Sequence, residues 1–153
     1  AATVEIYYGP EDRPGYKMVE LYDEADKYIY VAMYGITYRK AVTALVSAKK
    51  RGVDVRVISD RGRLNDRNQL VALQTLHRAG IPIRLNTHDN LMHLKQVVID
   101  DRVNTSGSMN LSHSGHRYND ERLNVIIDSK TSLKARKKFL SMWNNHARYE
   151  KWP

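Results

Sequence analysis

Apolar and polar positions alternate along the chain with two different periods, and each change of period predicts a change of element. Thr3 to Tyr7 alternates as a strand does, and Gly9 to Gly15 is rich in turn residues. From Tyr16 to Lys27 the apolar residues Met18, Val19, Leu21, Tyr22 and Ala25 fall at helical spacing, and Tyr28 to Tyr34 then reads as a buried strand. Ala41, Val42, Ala44, Leu45 and Ala48 predict a second helix, capped by Thr37 and stopped at Gly52. Val53 to Ile58 predicts a strand, Asp60 to Arg67 a flexible polar loop, and the residues from there to about Arg78 a third helix that ends at Gly80. A short strand follows at Ile81 to Leu85, and Val97-Val98-Ile99 is another strand-forming run. Beyond it the pattern predicts a polar loop from Leu111 to Asn119, a strand from Leu123 to Ile127 and a helix from about Thr131 to His146. Strands alternating with helices imply right-handed crossovers. The expected class is therefore α/β: a mixed, largely parallel β-sheet flanked by helices on both faces.

At 153 residues the chain is long enough to bury a core as one domain, 1–153. It has no cysteine, which excludes disulfides and thiolate metal sites and leaves the redox compartment open. No apolar run approaches the roughly 20 residues that a membrane-crossing helix needs, so no membrane insertion is expected. The net charge of +8 favours a polyanionic partner, although an ordinary basic surface has the same sum.

The densest chemistry lies between Met92 and Leu111, where the spacing H-x-K-x4-D-x6-G-S-x-N holds His93, Lys95, Asp100, Gly107, Ser108 and Asn110. Asp100-Asp101 is turn chemistry, which predicts a tight β-hairpin. With just these two residues in the loop, Lys95 faces Ser106 and His93 faces Ser108. His93, Lys95, Ser106, Ser108 and Asn110 then share one face. Gly107 between them lets a ligand approach the backbone. Such a set suits a phosphate group: charge from Lys95, donors from Ser108 and Asn110, and a nucleophile or proton shuttle in His93. Asp100 falls on the other parity and reads as structural, ordering the turn. The bland alternative is a half-buried hairpin that happens to hold a histidine and a lysine.

All six positions match the HKD motif of the phospholipase D superfamily, which the stretch resembles. Length, segment order and the single motif are most similar to the small bacterial Nuc-type endonucleases. The resemblance implies a phospholipase D-like fold and a metal-independent endonuclease that needs no cofactor and works through a phosphohistidine on nucleic acid, DNA more than RNA. Family members normally face two such motifs, so one motif implies a homodimer with a shared active site. It also implies that Glu121, just downstream, orients the catalytic histidine. Alternatives are a phospholipase or cardiolipin hydrolase with the same chemistry, and a catalytically silent nucleic-acid-binding module. Leu94 and Leu111 depart from the family pattern and bear on substrate preference. A broadly active nuclease would threaten its host's nucleic acid, and Ala1-Ala2 suits a processed start, so a periplasmic or secreted placement is expected.

Outside the motif, Arg61, Arg63 and Arg67 follow a strand end, where open α/β sheets gather ligands, and are expected to contact backbone phosphates. His113 and His116, three apart but with no obvious third ligand, read as ordinary loop histidines, and no metal site is expected.

Overall fold

In a computed structural model describing residues 1–153, the wholly apolar run from Tyr28 to Met33 lies in the middle of one eight-stranded sheet. β2 (Tyr28–Met33) is buried at every position. It lies between β3 (Asp54–Ser59), which runs parallel to it, and β5 (Lys95–Ile99), which runs antiparallel. With β1 (Thr3–Gly9), β4 (Ile83–Asn86), β6 (Val103–Gly107), β7 (Glu121–Ile127) and β8 (Tyr149–Trp152), the order is β1-β7-β6-β5-β2-β3-β4-β8. The class is mixed α/β, but the sheet is not largely parallel. Only β2–β3 and β3–β4 pair in parallel, because the hairpin strand β5 takes the free side of β2 and antiparallel partners extend both ends.

Alternate side chains of β2 serve two cores. Ile29, Val31 and Met33 pack with α1 (Pro14–Asp23), α2 (Arg39–Lys50) and α3 (Arg67–Arg78), while Tyr28, Tyr30 and Ala32 pack with α5 (Ser129–Trp143). Phe139 of α5 is wholly buried and stacks on Tyr30 at 4.8 Å. Burying such a ring contributes about 1.5–3 kcal/mol relative to leaving it exposed.

Several boundaries differ from the expectation, each for a local reason. Thr37 does not cap α2: Tyr38 is at the N-cap, and the amides of Thr37 and Tyr38 both donate to the Leu111 carbonyl. Asp66 and Asp128 do cap α3 and α5 through their carboxylates. The arginine-bearing segment is a 3-10 helix, Arg61–Asn65, whose first turn is tied by Asp60 to the Gly62 amide, so it is not a flexible loop. The final helix stops at Trp143, and the tail after it adds the edge strand β8, which the sequence pattern did not predict.

The expected loop from Leu111 to Asn119 contains α4 (His113–Arg117), capped by Ser112. His116 is not an ordinary loop histidine: it is 2% exposed, and its Nδ1 accepts from the Gly15 amide at 3.0 Å. A Cβ on Gly15 would come within 2.7 Å of that nitrogen, so the contact requires glycine there. Burial pushes the imidazole pKa down, assisted by the positive charges of His113, Arg13, Arg117 and Lys40. The unfolded chain therefore takes up this proton first, at a pH near 6.5. Stability from His116 is complete above that pH and is lost as pH falls through the lower folded value. Thermal melts between pH 7 and 5 should show a declining Tm. His116→Gln, whose amide oxygen can accept the same bond, should flatten the decline; an unchanged slope would place the acid sensitivity elsewhere.

Candidate active site

The hairpin is built on two aspartates in the left-handed region, Asp100 at φ 57° and Asp101 at φ 54°. The Arg102 amide donates to the Ile99 carbonyl at 3.0 Å, closing a two-residue turn. Ile99 nevertheless pairs with Val103 and Val98 with Asn104, so Arg102 is an extra residue in the second strand, a bulge. One added residue reverses the parity beyond it. Thr105, not Ser106, comes to the Lys95 face, where its hydroxyl accepts from the Val97 amide at 3.1 Å. Ser106 turns to the α5 side and accepts from Asn124 at 3.2 Å. The expected set on one face therefore loses Ser106.

The Asp100 carboxylate accepts from the amides of Asp26, Lys27 and Tyr28 at 2.8, 2.7 and 3.0 Å, tying the hairpin turn to the start of β2. Gly107 has φ +131°, and a Cβ there would lie 2.0 Å from the Arg122 carbonyl oxygen. The missing side chain makes room for the neighbouring strand β7 rather than for a ligand.

The two halves of the motif meet at the end of β2. The Tyr34 amide donates to the Leu94 carbonyl at 2.9 Å, and the next amide, Gly35, donates to Asn110 Oδ1 at 2.9 Å. Asn110 thus stands beside the strand that carries His93 and Lys95, with its Nδ2 still free to donate. Lys95 Nζ lies 3.0 and 3.1 Å from the two nitrogens of His93. The Tyr34 ring backs both, 4.8 Å from the imidazole and 5.5 Å from Nζ. Burial lowers the Lys95 pKa, partly offset by the negative charge of Glu121.

Glu121 is not bonded to His93 in this chain. Its Oε1 accepts from Ser108 Oγ at 2.6 Å and its Oε2 from Asn119 at 3.3 Å. Ser108 Oγ in turn accepts from the Arg122 amide at 3.0 Å. The Ser108 proton is thereby committed to Glu121.

Beneath these residues runs a buried polar chain that the sequence reading missed. Gln69 Oε1 accepts from the Ile36 amide at 2.6 Å, and its Nε2 donates to Ser59 Oγ at 2.8 Å. Ser59 donates to the Met33 carbonyl at 2.8 Å. Asp60, also buried, accepts from the Met92 amide at 2.7 Å and so fixes the residue before His93. The signal for Gln69 was a glutamine on the same apolar stripe as Ala72, Leu73 and Leu76 of α3.

The three arginines separate. Arg61 donates Nε to the Asn86 carbonyl at 3.0 Å and pairs through Nη2 with Glu150. Arg63 lies over the Tyr34 ring at 5.5 Å, beside the motif. Arg67 is exposed at the first position of α3. His113 and His116 stand 6.5 Å apart by ring centroid, and no three His, Cys, Asp or Glu residues come together as metal ligands would.

A family model described as "Cardiolipin synthase, PLD-like domain" matches residues 18–143. A Rickettsia conorii protein named phospholipase D is 30% identical over 123 residues, covering 80% of this chain and 58% of that protein. A Drosophila melanogaster mitochondrial cardiolipin hydrolase is 29% identical over 154 residues, covering 88% of this chain and 60% of its own length. The chain thus spans somewhat over half the length of these curated relatives. The solved structure of Nuc, a phospholipase D family member from Salmonella typhimurium, superposes with a TM-score of 0.90 at 26% identity, covering 99% of both chains. With its motif gathered at one end of a sheet of that same architecture, the chain belongs to the phospholipase D-like family.

Proposed function

We propose that the protein is a metal-independent nuclease that hydrolyses phosphodiester bonds of nucleic acid, with DNA favoured, inside a homodimer. The observation that carries the chemistry is the contact of Lys95 with His93, beside Asn110 with a free amide donor. His93 attacks phosphorus, forming a P–N bond as the P–O bond to the leaving group breaks. A second copy's His93 gives that oxygen a proton and then takes one from water, which attacks phosphorus and releases His93. Lys95 and Asn110 hold the non-bridging oxygens. Ser108 donates its proton to Glu121, so its role is to hold that carboxylate, whose negative charge opposes the lowering of the Lys95 pKa by burial.

The +8 charge and the end-to-end likeness to Nuc support a nucleic-acid substrate. A second reading, a phospholipase or cardiolipin hydrolase, is favoured by the names of the curated relatives. Purified protein incubated with labelled DNA, RNA and phospholipid vesicles in matched buffers containing EDTA separates the two. DNA should be cut with EDTA present. Vesicle hydrolysis with DNA left intact supports the second reading, binding without cleavage indicates a silent module, and activity restored only by magnesium overturns the phosphohistidine route.

A further inference from the structure

Arg63 differs from its neighbours in what it leaves unspent. Its Nη2 makes one long contact, 3.4 Å, with Asp66, its Nη1 makes none, and its Nε is buried without a hydrogen-bond partner. Asp66 meets it through Oδ2 alone, since Oδ1 accepts from the amides of Asn68 and Gln69 at the start of α3. The Arg61 guanidinium, by contrast, is taken up by Asn86 and Glu150.

The Tyr34 ring relates Arg63 to the catalytic pair. Lys95 Nζ and the Arg63 guanidinium each lie 5.5 Å from its centroid, so the two cations are at most 11 Å apart. The negative face of the aromatic ring attracts both and eases their repulsion. One strand of nucleic acid carries a charge every ~3.4 Å of helix axis, so a separation within this bound matches the scissile phosphate and one beside it.

We propose that Arg63 is a second phosphate subsite. With Lys95 on the scissile phosphate, Arg63 takes a neighbouring phosphate of the same strand, and Tyr34 is the spacer that sets the separation. A planar guanidinium suits this place better than an ammonium, because it can grip two phosphate oxygens at once. The assignment rests on the nucleic-acid reading above and sharpens it: the preferred substrate is a chain of consecutive phosphodiesters, not an isolated one.

The test uses short oligothymidylates with a single cleavable linkage, in which one adjacent phosphate is replaced by neutral methylphosphonate, on either side in turn. For the wild-type protein, replacement on one side or, because a twofold site holds two copies of Arg63, on both should lower kcat/KM by about tenfold, as for loss of a charged hydrogen bond. In Arg63→Ala that sensitivity should vanish, so that charged and neutral neighbours are cut at equal rates. Arg63→Lys, which keeps charge without the two-pronged grip, should show an intermediate ratio and also serves if the alanine variant does not fold. Wild-type protein indifferent to both replacements, or an Arg63→Ala variant as sensitive as wild type, overturns the subsite while leaving the nuclease reading intact. Failure of the wild type to cut the fully charged oligonucleotide overturns the nuclease reading and the subsite with it.

Discussion

Replacing His93 with asparagine is expected to remove turnover, with kcat reduced ~10⁴-fold or more, as when other covalent nucleophiles are deleted. Asparagine can occupy the site and offer hydrogen bonds to Lys95, but it cannot form the P–N bond. The loss should therefore come without a matching loss of substrate binding. The same residue carries a second demand. One motif supplies one imidazole, while the two proposed steps need a nucleophile and an acid, so the proposed mechanism requires two copies of His93 in each active site, as closed twofold symmetry would provide. Mixed dimers of wild-type and His93→Asn chains should release p-nitrophenol from a p-nitrophenyl phosphodiester, whose leaving oxygen needs no proton, in a burst of at most one per active site, while DNA stays intact. Light scattering that shows an active monomer at assay concentration would sink the shared site, and measurable turnover by His93→Asn would sink the covalent mechanism.

Asp100→Ala is expected to destabilise the fold by about 2–4 kcal/mol, because three backbone amides lose a charged acceptor together. For a chain of this size that corresponds to a fall in Tm of about 5–15 °C. Asparagine should cost much less, since it retains an acceptor oxygen and tolerates the left-handed backbone that Asp100 adopts. A Tm for Asp100→Ala within about 2 °C of wild type would show that water replaces the carboxylate without penalty. The motif aspartate is thus expected to act on stability where His93 acts on chemistry.

β2 could be read because it is a contiguous apolar run, β3 because its valines alternate with polar residues, and the helices because each carries a stripe. β8 could not: Tyr149-Glu150-Lys151-Trp152 has two exposed charges and owes its strand state to the edge of β4. The balance of parallel and antiparallel pairs escaped for a different reason, since nothing local in β2 says that β5 will lie beside it. In the site, the residue types and their spacing were legible, but the side to which they point was not. The bulge at Arg102 is a single residue with no turn signature of its own, yet it sends Ser106 to the opposite face. Glu121 was picked out by position, whereas its bond to Ser108 depends on the register of β6 with β7.

That register also governs when the site can come into being during synthesis. β1 emerges first, but the strand it pairs with is β7, whose residues are among the last third of the chain. Until β7 arrives, Ser108 lacks both of its partners, Glu121 and the Arg122 amide, and Gly9 has nothing opposite it. A nascent chain can form the β2–β3–β4 ladder and the hairpin from nearby segments, while these longest connections must wait. The bonds of Ser108 therefore form only after β7 has been made, and the pairing of β1 with β7, the most distant in the molecule, closes that edge of the sheet.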